Sequence, residues 1–487
     1  MARHPHHRIS HGPLPDARRC RFGGPAMSLV EASTIALRDL LSGIGFDDAP
    51  LDRLEIIDDG SALPTSWPIT ANAVAALAAV GLAASRLDEL RNGVTAPVSI
   101  STYHAGLSMA CSSYLTVDGK SAKFRDPFTG FYEAANGRWA FLHGNFPHLR
   151  DGVLKLLGVT TVDDVARAVR TRDPFDLEAL GIANGLCIAA VRTRAEWEAE
   201  AQYTAIKALP LIEFERLDNG TPRSSASGGQ PLSGLHVVDL SRVIAGPMAG
   251  RTIAEFGGDV LLVSGPGLPS IESLVIDTGF GKRSATLDLA SPKDRATFEA
   301  LIAESDVFLD AYRPGSLPGR GYDKAMLTRL RPGLVHIDLD AFSRSGPWAA
   351  RRGYDSLVQA TVGMCWDGEN PPENLPCQPL DYLTGYLGAL AGMVGLIRRM
   401  EQSGSWAGRL SLARTAHWMW NTYDHLGPQV DAPSTRPSID DARSRGYLVP
   451  YDTAFGAIEA LRSPLQSPDW RWPAPPAPLG SHMPDWI

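Results

Sequence analysis

The stretch LHVVDLSRVIAGPMAGRTIAEFGGDVLLVS, from Leu235 to Ser264, decides the fold of this chain. Residues 236–240 and 259–264 are short apolar runs that predict strands, and residues 247–256 between them predict a helix. A helix that joins two short apolar strands is typical of neighbouring parallel strands. The stretch therefore predicts a strand–helix–strand unit.

The same alternation continues on the carboxyl side. Helices are predicted over residues 292–304 and 322–330, and strands over residues 306–312 and 335–342. Repeated alternation at this spacing favours an α/β fold with a parallel sheet covered by helices on both faces. We predict a Rossmann-like sheet domain over residues 231–427 and a C-terminal return segment over 428–487.

The first half of the chain has a different pattern. An apolar helix is predicted over residues 70–90 and a strand over 97–101, within a partial segment that covers residues 27–125. Residues 126–223 predict a smaller α+β domain. Its predicted elements are a hairpin of residues 131–133 and 139–142 around Asn136-Gly137, helices over 149–157, 162–170 and 195–209, and a strand over 211–215.

Two segments lack the pattern of a packed element. Residues 224–230, SSASGGQ, predict a linker. Residues 1–26 alternate histidine with proline before the basic cluster Arg18-Arg19-Cys20-Arg21, which could mark a metal-binding or targeting tail. We expect instead a disordered extension ahead of a start at Met27.

Composition excludes several classes of protein. Of 487 residues, 44% are hydrophobic and 21% charged, which excludes wholesale disorder. The formal charge of -8 gives no electrostatic reason to expect nucleic acid or an anionic membrane as a partner. Five scattered cysteines without a CxxC pair argue against a zinc site or a disulfide framework. The apolar run from Ala73 to Ala84 is shorter than the roughly 20 residues that span a bilayer, so we expect a buried helix in a cytoplasmic protein.

Familiar nucleotide and hydrolase motifs are absent. No GxGxxG follows a strand, and no GxxxxGK[ST], HExxH or GxSxG occurs. Polar segments do follow the predicted strands, at residues 241–247, 281–284, 311–315 and 341–343. Ligands of open α/β sheets lie outside the carboxyl ends of the strands. Lys282, Arg283 and Arg313 would suit a phosphorylated ligand there, although solvated loop charges are the alternative.

The segment LDYLTGY, residues 380–386, opens a long apolar helix with Asp381 at its start. An aspartate in this position usually accepts hydrogen bonds from the backbone N–H groups of the first turn. The positive end of a helix also favours a carboxylate of low pKa, which could attack a carbonyl carbon. Both roles stay open from the sequence.

The chain contains an internal echo. Residues 395–417 parallel residues 81–104, because a long apolar helix in both places is followed by a serine-centred strand and a Thr-x-His step. We infer two partial copies of one unit. The first copy's helix, residues 70–90, is apolar nearly all round and must be buried against a large surface. We expect the helix over 381–399 to cover it, in an intrachain pseudo-dimer or a homodimer.

From about residue 60 onward, and most strongly over 231–425, the chain resembles the class III CoA-transferases. This family includes formyl-CoA transferase, carnitine CoA-transferase and the α-methylacyl-CoA racemases. Five segments in order carry the resemblance: LSGLHVVDLSRVIAGPMAGRTIAEFGGDV, GKRSATLDL, AYRPGSLPGRGYD, GPWAARRGYDSLVQATVGM and LDYLTGYLGALAGMVGLIRR.

The resemblance implies that Asp381 is the catalytic nucleophile of a CoA-transferase. Its carboxylate would attack an acyl-CoA to form a mixed anhydride and then an aspartyl-CoA thioester, with first-turn N–H groups stabilising the oxyanions. The substrates would be an acyl-CoA and a carboxylic acid, and no metal or redox cofactor is implied. The implied CoA-binding residues are Val243, Ile244, Ala245, Lys282, Arg283, Tyr312, Arg313, Arg320 and Phe342.

The chain departs from the family pattern in places. Ser264 stands where an acidic residue is usual, Asp340 where a basic residue is often found, and the family's glycine-rich loop is not recognisable. Residues 67–104 resemble the aspartate-bearing helix but have Trp67 or Ile69 at the aspartate position. Residues 130–216 resemble the family's small domain, and PLGSHMPDW, residues 478–486, its closing segment. Two incomplete copies could together rebuild one active site.

Two alternatives remain. A racemase needs acid–base groups on both faces of the α-carbon, but the family's Gly-His-Asp is here Gly353-Tyr354-Asp355, and tyrosine accepts protons poorly near neutrality. The departures also allow a catalytically silent CoA-binding scaffold. We expect a transferase.

Overall fold

The structure is a computed structural model that describes residues 27–121, 125–220, 228–429, 432–467 and 470–487. The predicted disordered extension over residues 1–26 and residues 224–227 of the predicted linker lie outside the described residues. Both stay predictions.

The segment before the small domain begins with a helix that Ser28 caps, since its hydroxyl accepts the N–H of Glu31 at 3.2 Å. The elements of this segment are α1 (Leu29–Gly43), β1 (Leu54–Ile57), α2 (Ile69–Asn92), β2 (Val98–Ser101), α3 (Thr102–Ser108), β3 (Thr116–Val117) and β4 (Lys120–Ser121). Helix α2 is buried along nearly its whole length.

The predicted hairpin is confirmed in the small domain, where Asn136 at the turn has a positive φ of 59°. The elements are β5 (Gly130–Glu133), β6 (Trp139–Leu142), α4 (Pro147–Leu157), α5 (Val162–Arg170), α6 (Pro174–Ala183), β7 (Ile188–Ala190), α7 (Arg194–Glu198), α8 (Ala201–Ile206) and β8 (Glu213–Arg216). The single helix predicted over residues 195–209 is wrong, because the structure breaks it into α7 and α8.

The predicted alternation of strands and helices is confirmed in the large domain. Its elements are β9 (His236–Leu240), α9 (Ala245–Glu255), β10 (Asp259–Ser264), α10 (Glu272–Thr278), β11 (Lys282–Thr286), α11 (Pro292–Glu304), β12 (Val307–Asp310), α12 (Lys324–Leu330), β13 (Val335–Asp340), α13 (Asp355–Thr361), α14 (Pro379–Gln402), β14 (Trp406–Ser411) and α15 (Leu412–Leu426). The return segment adds α16 (Ile439–Ser444), β15 (Leu448–Thr453), β16 (Gly456–Leu461) and β17 (Leu465–Gln466).

A seven-stranded sheet organises the large domain, in the order β11-β10-β9-β12-β13-β14-β8. The strands β9 to β14 are parallel to their neighbours, and β8 pairs with β14 in the antiparallel direction. The order of the parallel strands is that of a Rossmann fold, which confirms the predicted α/β class. The strand order reverses between β9 and β12, and a crevice outside their carboxyl ends is the expected ligand site.

The internal echo appears as two similar units. Both α2 and α14 have 24 residues, and each is followed by a strand that ends in a capping serine. The Ser101 hydroxyl accepts the N–H of His104 at 2.9 Å, and the Ser411 hydroxyl accepts the N–H of Arg414 at 3.2 Å. The predicted match of the two Thr-x-His steps is therefore wrong, because His104 corresponds to Arg414.

The edges of the two units are also alike. Strand β1 is parallel to β2, and β17 pairs with β2 in the antiparallel direction. The same relation holds for β13, β14 and β8 in the large sheet. By the position in its helix, Asp381 corresponds to Ala71 rather than to Trp67 or Ile69. The first unit thus has no carboxylate at that position.

The two long helices pack against each other in the interior of one chain. Both are long and apolar enough to cross a membrane by length and composition, but 94% and 100% of the relevant windows are buried inside the fold. The apolar part of α2 is therefore longer than the run from Ala73 to Ala84. Its burial is that of a core helix.

Candidate active site

Helix α14 places Asp381 at the third position of its first turn. Pro379 starts the helix, where proline costs no intrahelical hydrogen bond. Asp381 is only 7% exposed, and no residue that the structure describes donates a hydrogen bond to its carboxyl group. Its carboxyl group is thus buried without a hydrogen-bond donor among the described residues.

Asp355, at the start of α13, performs the capping of α14. Its Oδ2 accepts the backbone N–H of Asp381 at 2.9 Å, and Gln359 donates to its Oδ1. The expectation that the Asp381 carboxylate caps its own helix is therefore wrong. The predicted use of first-turn N–H groups for oxyanions stays a prediction, although the N–H of Asp381 itself already donates to Asp355.

Both carboxyl groups have raised proton affinity, and the charge of Asp355 adds to the effect at Asp381. Burial, followed by the charge of Asp355, raises the pKa of Asp381 well above its usual range. Burial raises the pKa of Asp355 to about 7, against the lowering effect of its hydrogen bond with the Asp381 N–H. The predicted low pKa of Asp381 is wrong, because desolvation and a like charge outweigh the helix dipole.

Tyr354 joins this carboxyl pair to the small domain. Its ring stacks on His143, with 4.0 Å between ring centroids and 5° between planes, and lies 5.9 Å from the Phe146 ring. Burial raises the pKa of the Tyr354 hydroxyl, so the group stays protonated and can donate a hydrogen bond. Burial and then Arg125 lower the pKa of His143 to about 3, which keeps this imidazole neutral.

A cavity of about 270 Å³ opens at the carboxyl ends of β9 and β10. Phe146 and Arg242 form its boundary with the region of Tyr354. The other residues of its wall include Ser241, Val243, Ser264, Leu268, Ile271, Thr278, Thr286 and Leu479. The wall is mainly apolar with a few hydroxyl groups, as in small-molecule sites.

Val243 lies at this cavity with a φ of 74°, in the left-handed region. A β-branched residue in that conformation costs roughly 1–3 kcal/mol and persists only where its surroundings impose it. Gly246, on the next turn, explains part of the constraint: a Cβ there would lie 2.7 Å from the Cβ of Ala311. The backbone from Val243 to Gly246 is closely packed between the ends of β9 and β12. A strained residue held in such a turn points to a function for it.

The predicted CoA-binding residues fall into two groups. Val243, Lys282 and Arg283 line the cavity, and Ile244 and Ala245 lead from it into α9. The others lie outside its wall. Arg313 and Arg320 are exposed on the loop after β12, and Tyr312 follows β12 directly. Phe342 is buried, and its ring centre lies 5.4 Å from that of Trp348.

The two basic residues of β11 are neutralised within the fold. The ammonium group of Lys282 lies 3.0 Å from Asp239, and the guanidinium of Arg283 lies 3.0 Å from Asp259. Both residues begin β11, so the expectation that they follow the carboxyl end of a strand is wrong. Arg242 lies on the cavity wall, although it was not among the predicted CoA-binding residues.

The other reactive groups of the described residues do not form a metal centre. Within the described residues no group of three or more histidine, cysteine, aspartate or glutamate side chains could hold a metal ion. Four cysteines, Cys111, Cys187, Cys365 and Cys377, are buried and free. The candidate site is therefore built from Asp381, Asp355, Tyr354 and the neighbouring cavity.

Comparisons with known proteins find similar proteins among the CoA-transferases. The family model of CoA-transferase family III matches residues 232–454. An acyl-CoA transferase of Gibberella moniliformis is 29% identical over 77% of this chain and 73% of its own length. The acetyl-coenzyme A transferase nodX of Hypoxylon pulicicidum is 32% identical over 47% of this chain and 41% of its own length.

Bacterial relatives match a shorter part. The beta subunit of succinyl-CoA–L-malate CoA-transferase from Chloroflexus aurantiacus is 32% identical over 36% of this chain, which spans 47% of that subunit. A crystal structure of the Mycobacterium tuberculosis protein Rv3272 is 27% identical over 43% of this chain and 60% of that protein, with a TM-score of 0.38. Over residues 232–454 the chain is thus similar to CoA-transferase family III, and its curated relatives are named as acyl-CoA or CoA-transferases.

Proposed function

We propose that this enzyme moves CoA from an acyl-CoA to a carboxylic acid through covalent intermediates on Asp381. The observation that carries the proposal is the division of tasks between two buried carboxyl groups. Asp355 caps the helix, while the carboxyl group of Asp381 has no hydrogen-bond donor among the described residues. A carboxylate without bonds to give up is well suited to attack a thioester.

The reaction proceeds as four balanced acyl exchanges. An Asp381 oxygen attacks the thioester carbonyl, the C–S bond breaks, and a mixed anhydride and CoA thiolate result. The thiolate attacks the aspartyl carbonyl and releases the first acid, which leaves an aspartyl-CoA thioester. The acceptor carboxylate attacks this thioester, the C–S bond breaks, and a second mixed anhydride and CoA thiolate result. The thiolate then attacks the acceptor's carbonyl in this anhydride, which gives the new acyl-CoA and regenerates the Asp381 carboxylate. Each step replaces one activated acyl bond by another.

Tyr354 supports these steps as a hydrogen-bond donor. Burial raises the pKa of its hydroxyl and keeps it protonated, and the charge of Asp381 adds to this shift. A protonated phenol can stabilise the oxyanion of each tetrahedral intermediate. The same high pKa makes it a poor proton acceptor, which favours transfer over racemisation.

The cavity at the carboxyl ends of β9 and β10 is the proposed CoA-binding site. Its boundary residues Phe146 and Arg242 lead toward Tyr354, so a thioester held there can extend toward Asp381. The hydroxyl groups of Ser264 and Thr286 and the guanidinium of Arg242 offer donors to phosphate oxygens. No further cofactor is needed for acyl exchange.

Mass spectrometry of the intact protein after incubation with a panel of acyl-CoAs tests this proposal. We expect an adduct with the mass of CoA, or a hydroxamate at Asp381 after hydroxylamine treatment. Asp381→Asn should form neither, while the control Glu369→Gln, which changes an exposed loop carboxylate, should form both. A wild-type protein that forms no adduct with any acyl-CoA would support the silent scaffold instead.

A further inference from the structure

A polar network is buried beside the first turn of α14. At its centre, one carboxylate oxygen of Asp277 on α10 lies 3.3 Å from the guanidinium of Arg251, and the other accepts a hydrogen bond from the thiol of Cys111 at 3.0 Å. The hydroxyl of Tyr382 lies 3.3 Å from Asp277 and 3.0 Å from the hydroxyl of Ser112, and it accepts the N–H of Ser112 at 3.3 Å. These five residues are all buried and are here called the buried network.

The buried network joins parts of the chain that lie far apart in sequence. Cys111 and Ser112 belong to the segment before the small domain, and Arg251 and Asp277 to the large domain. From the return segment, the ring centre of Trp472 lies 4.5 Å from the guanidinium of Arg251, and its indole N–H donates to the carbonyl of Arg251 at 3.0 Å. Replacing a buried ion pair by packed apolar side chains is often neutral or stabilising, so stability alone does not account for this pair.

Helix α10 has two faces with different neighbours. Residues at i, i+3, i+4 and i+7 share one face of a helix, and on α10 this face lines the proposed CoA cavity with Ile271, Leu274, Val275 and Thr278. Asp277 is not part of the cavity wall, and its side chain is directed into the buried network. A ligand that packs against the cavity face of α10 therefore acts on the helix that carries Asp277.

The buried network reaches the proposed nucleophile through one residue. Tyr382 directly follows Asp381 in the first turn of α14. Two sets of hydrogen bonds hold this turn, because Asp355 accepts the N–H of Asp381 at 2.9 Å and the Tyr382 hydroxyl bonds to the buried network. A shift of α10 is thus transmitted to the turn that carries Asp381.

We infer that the buried network couples the occupancy of the CoA cavity to the position of Asp381. The nucleotide part of CoA, bound against α10, holds Asp277 and Tyr382 where they orient the first turn of α14 for attack. Both are positioning residues, because they act through Asp381 and do not touch the reacting atoms. This inference rests on the proposed function. It assigns the binding energy of a remote part of the substrate to a higher kcat rather than only to a lower KM.

A divided substrate tests the coupling. An acyl-pantetheine, made with an acyl group that the wild type accepts from CoA, has the reacting thioester but lacks the nucleotide, which is supplied separately as adenosine 3′,5′-bisphosphate. We expect saturating nucleotide to raise kcat, for exchange of the acyl group with its labelled free acid, by at least about tenfold in the wild type. Tyr382→Phe keeps the ring and loses the hydroxyl, so the nucleotide should raise its kcat by about twofold at most.

Tyr114→Phe is the matched control. It also removes the hydroxyl of a buried tyrosine, which donates to the carbonyl of Pro437 at 3.1 Å, outside the buried network. The nucleotide should activate this variant as it activates the wild type. Two kinetic results overturn the inference: no activation of the wild type by the nucleotide, or equal activation of Tyr382→Phe and the wild type.

If the wild type exchanges no acyl group, the proposed function fails, and amide hydrogen exchange measured by mass spectrometry decides the inference separately. Adenosine 3′,5′-bisphosphate should slow exchange in α10 and in residues 379–386 of the wild type, but only in α10 of Tyr382→Phe. Protection that is absent from α10, that stops at α10 in the wild type, or that reaches residues 379–386 equally in Tyr382→Phe overturns the coupling. The wild-type measurement alone decides it if Tyr382→Phe fails to fold.

Discussion

At the scale of single residues, the start of α14 brings together two buried carboxyl groups with different bonding. The carboxylate of Asp355 accepts from Gln359 and from the N–H of Asp381, and it is fixed by these bonds. The side chain of Asp381 is buried and is repelled by the charge of Asp355, and no described residue donates a hydrogen bond to it. One group has the properties of a structural cap and the other those of a reactive group.

Asp381→Asn should separate the catalytic role from the structural role. We expect at least about a thousandfold loss of CoA transfer, because covalent catalysis depends on this carboxylate. The folded state raises the pKa of Asp381, so wild-type stability falls as pH rises above the unfolded pKa. The amide cannot ionise, and its Tm relative to wild type should therefore increase from pH 5 to pH 8. A clearly lower Tm at all pH values would mean that Asp381 stabilises the helix.

The pH dependence of the rate gives a second prediction. Attack requires ionised Asp381, so kcat/KM should rise with pH through its raised pKa. Asp355→Asn removes the neighbouring charge and should move this rising limb to lower pH. Steady-state exchange rates from pH 5 to 9 provide the measurement. If the rising limb of kcat/KM lies at the same pH in Asp355→Asn as in the wild type, burial alone sets the pKa of Asp381.

The resemblance of the D-x-x-T-G segment to the class III CoA-transferases is what indicates Asp381 as a nucleophile, whereas its place at the start of an apolar helix left a capping role open. The sequence does not identify the partner, because Asp355 is 26 residues away and reaches Asp381 only in the folded chain. The direction of the pKa shift was likewise beyond the sequence, since the helix dipole is a local effect and burial is not. Local features of the site were therefore predictable, and its electrostatics were not.

At the scale of secondary-structure elements, small residues hold α14 close to its neighbours. A Cβ on Gly385 would lie 2.6 Å from the Cβ of Met248 and 2.7 Å from the carbonyl oxygen of Ala245. A Cβ on Gly395 would lie 2.5 Å from a methyl group of Val335. Close contact with α9 and β13 fixes the position of α14 and therefore that of Asp381.

Gly385→Ala should therefore destabilise the enzyme although alanine favours helices. Overpacking against Met248 and the backbone of α9 costs about 1–3 kcal/mol, against roughly 1 kcal/mol gained from helix propensity. Urea denaturation monitored by circular dichroism measures the difference. Gly43→Ala is the matched control, because nothing lies within 4 Å of the Cβ it adds to α1, and it should not destabilise. Equal effects of the two changes would contradict the close contact.

The strands of the large sheet differ in how well the sequence predicts them. The strands β9, β10 and β13 were predicted from apolar runs that the sheet buries on both faces. Strand β11 was not, because its first two residues are Lys282 and Arg283, which resemble a loop until Asp239 and Asp259 neutralise them. Charge pairing between distant segments hides such a strand from any local pattern.

At the scale of the whole molecule, each partial unit is completed by a strand from elsewhere in the chain. Strand β8 of the small domain forms the edge of the large sheet beside β14. Strand β17 of the return segment pairs with β2 of the first unit. The closing segment also lies on the large sheet, where the N–H of His482 donates to the carbonyl of Ser284 at 2.8 Å. The halves are interlocked rather than joined end to end.

This interlocking bears on the two arrangements that the sequence left open. Helix α2 packs on α14 within one chain, and Asn72 donates to the hydroxyl of Thr422 on α15 at 2.9 Å. One chain therefore supplies the surface that buries α2. We propose that the intrachain pseudo-dimer is the functional unit, with or without further association of chains.

Separate expression of residues 27–229 and 230–487 tests this unit. Residues 27–229 alone would lack β14, which pairs with β8, and α14, which covers α2. Residues 230–487 alone would lack β8 and α2. Exposed apolar helices and unpaired strand edges promote aggregation. We therefore expect each piece alone to be insoluble or inactive, and the co-expressed pieces to purify together and regain CoA transfer. The proposed nucleophile Asp381 is in the second piece, but Phe146 and His143, which contact Tyr354, are in the first. A second piece that is soluble and fully active alone would make the first half an accessory module and refute the shared site.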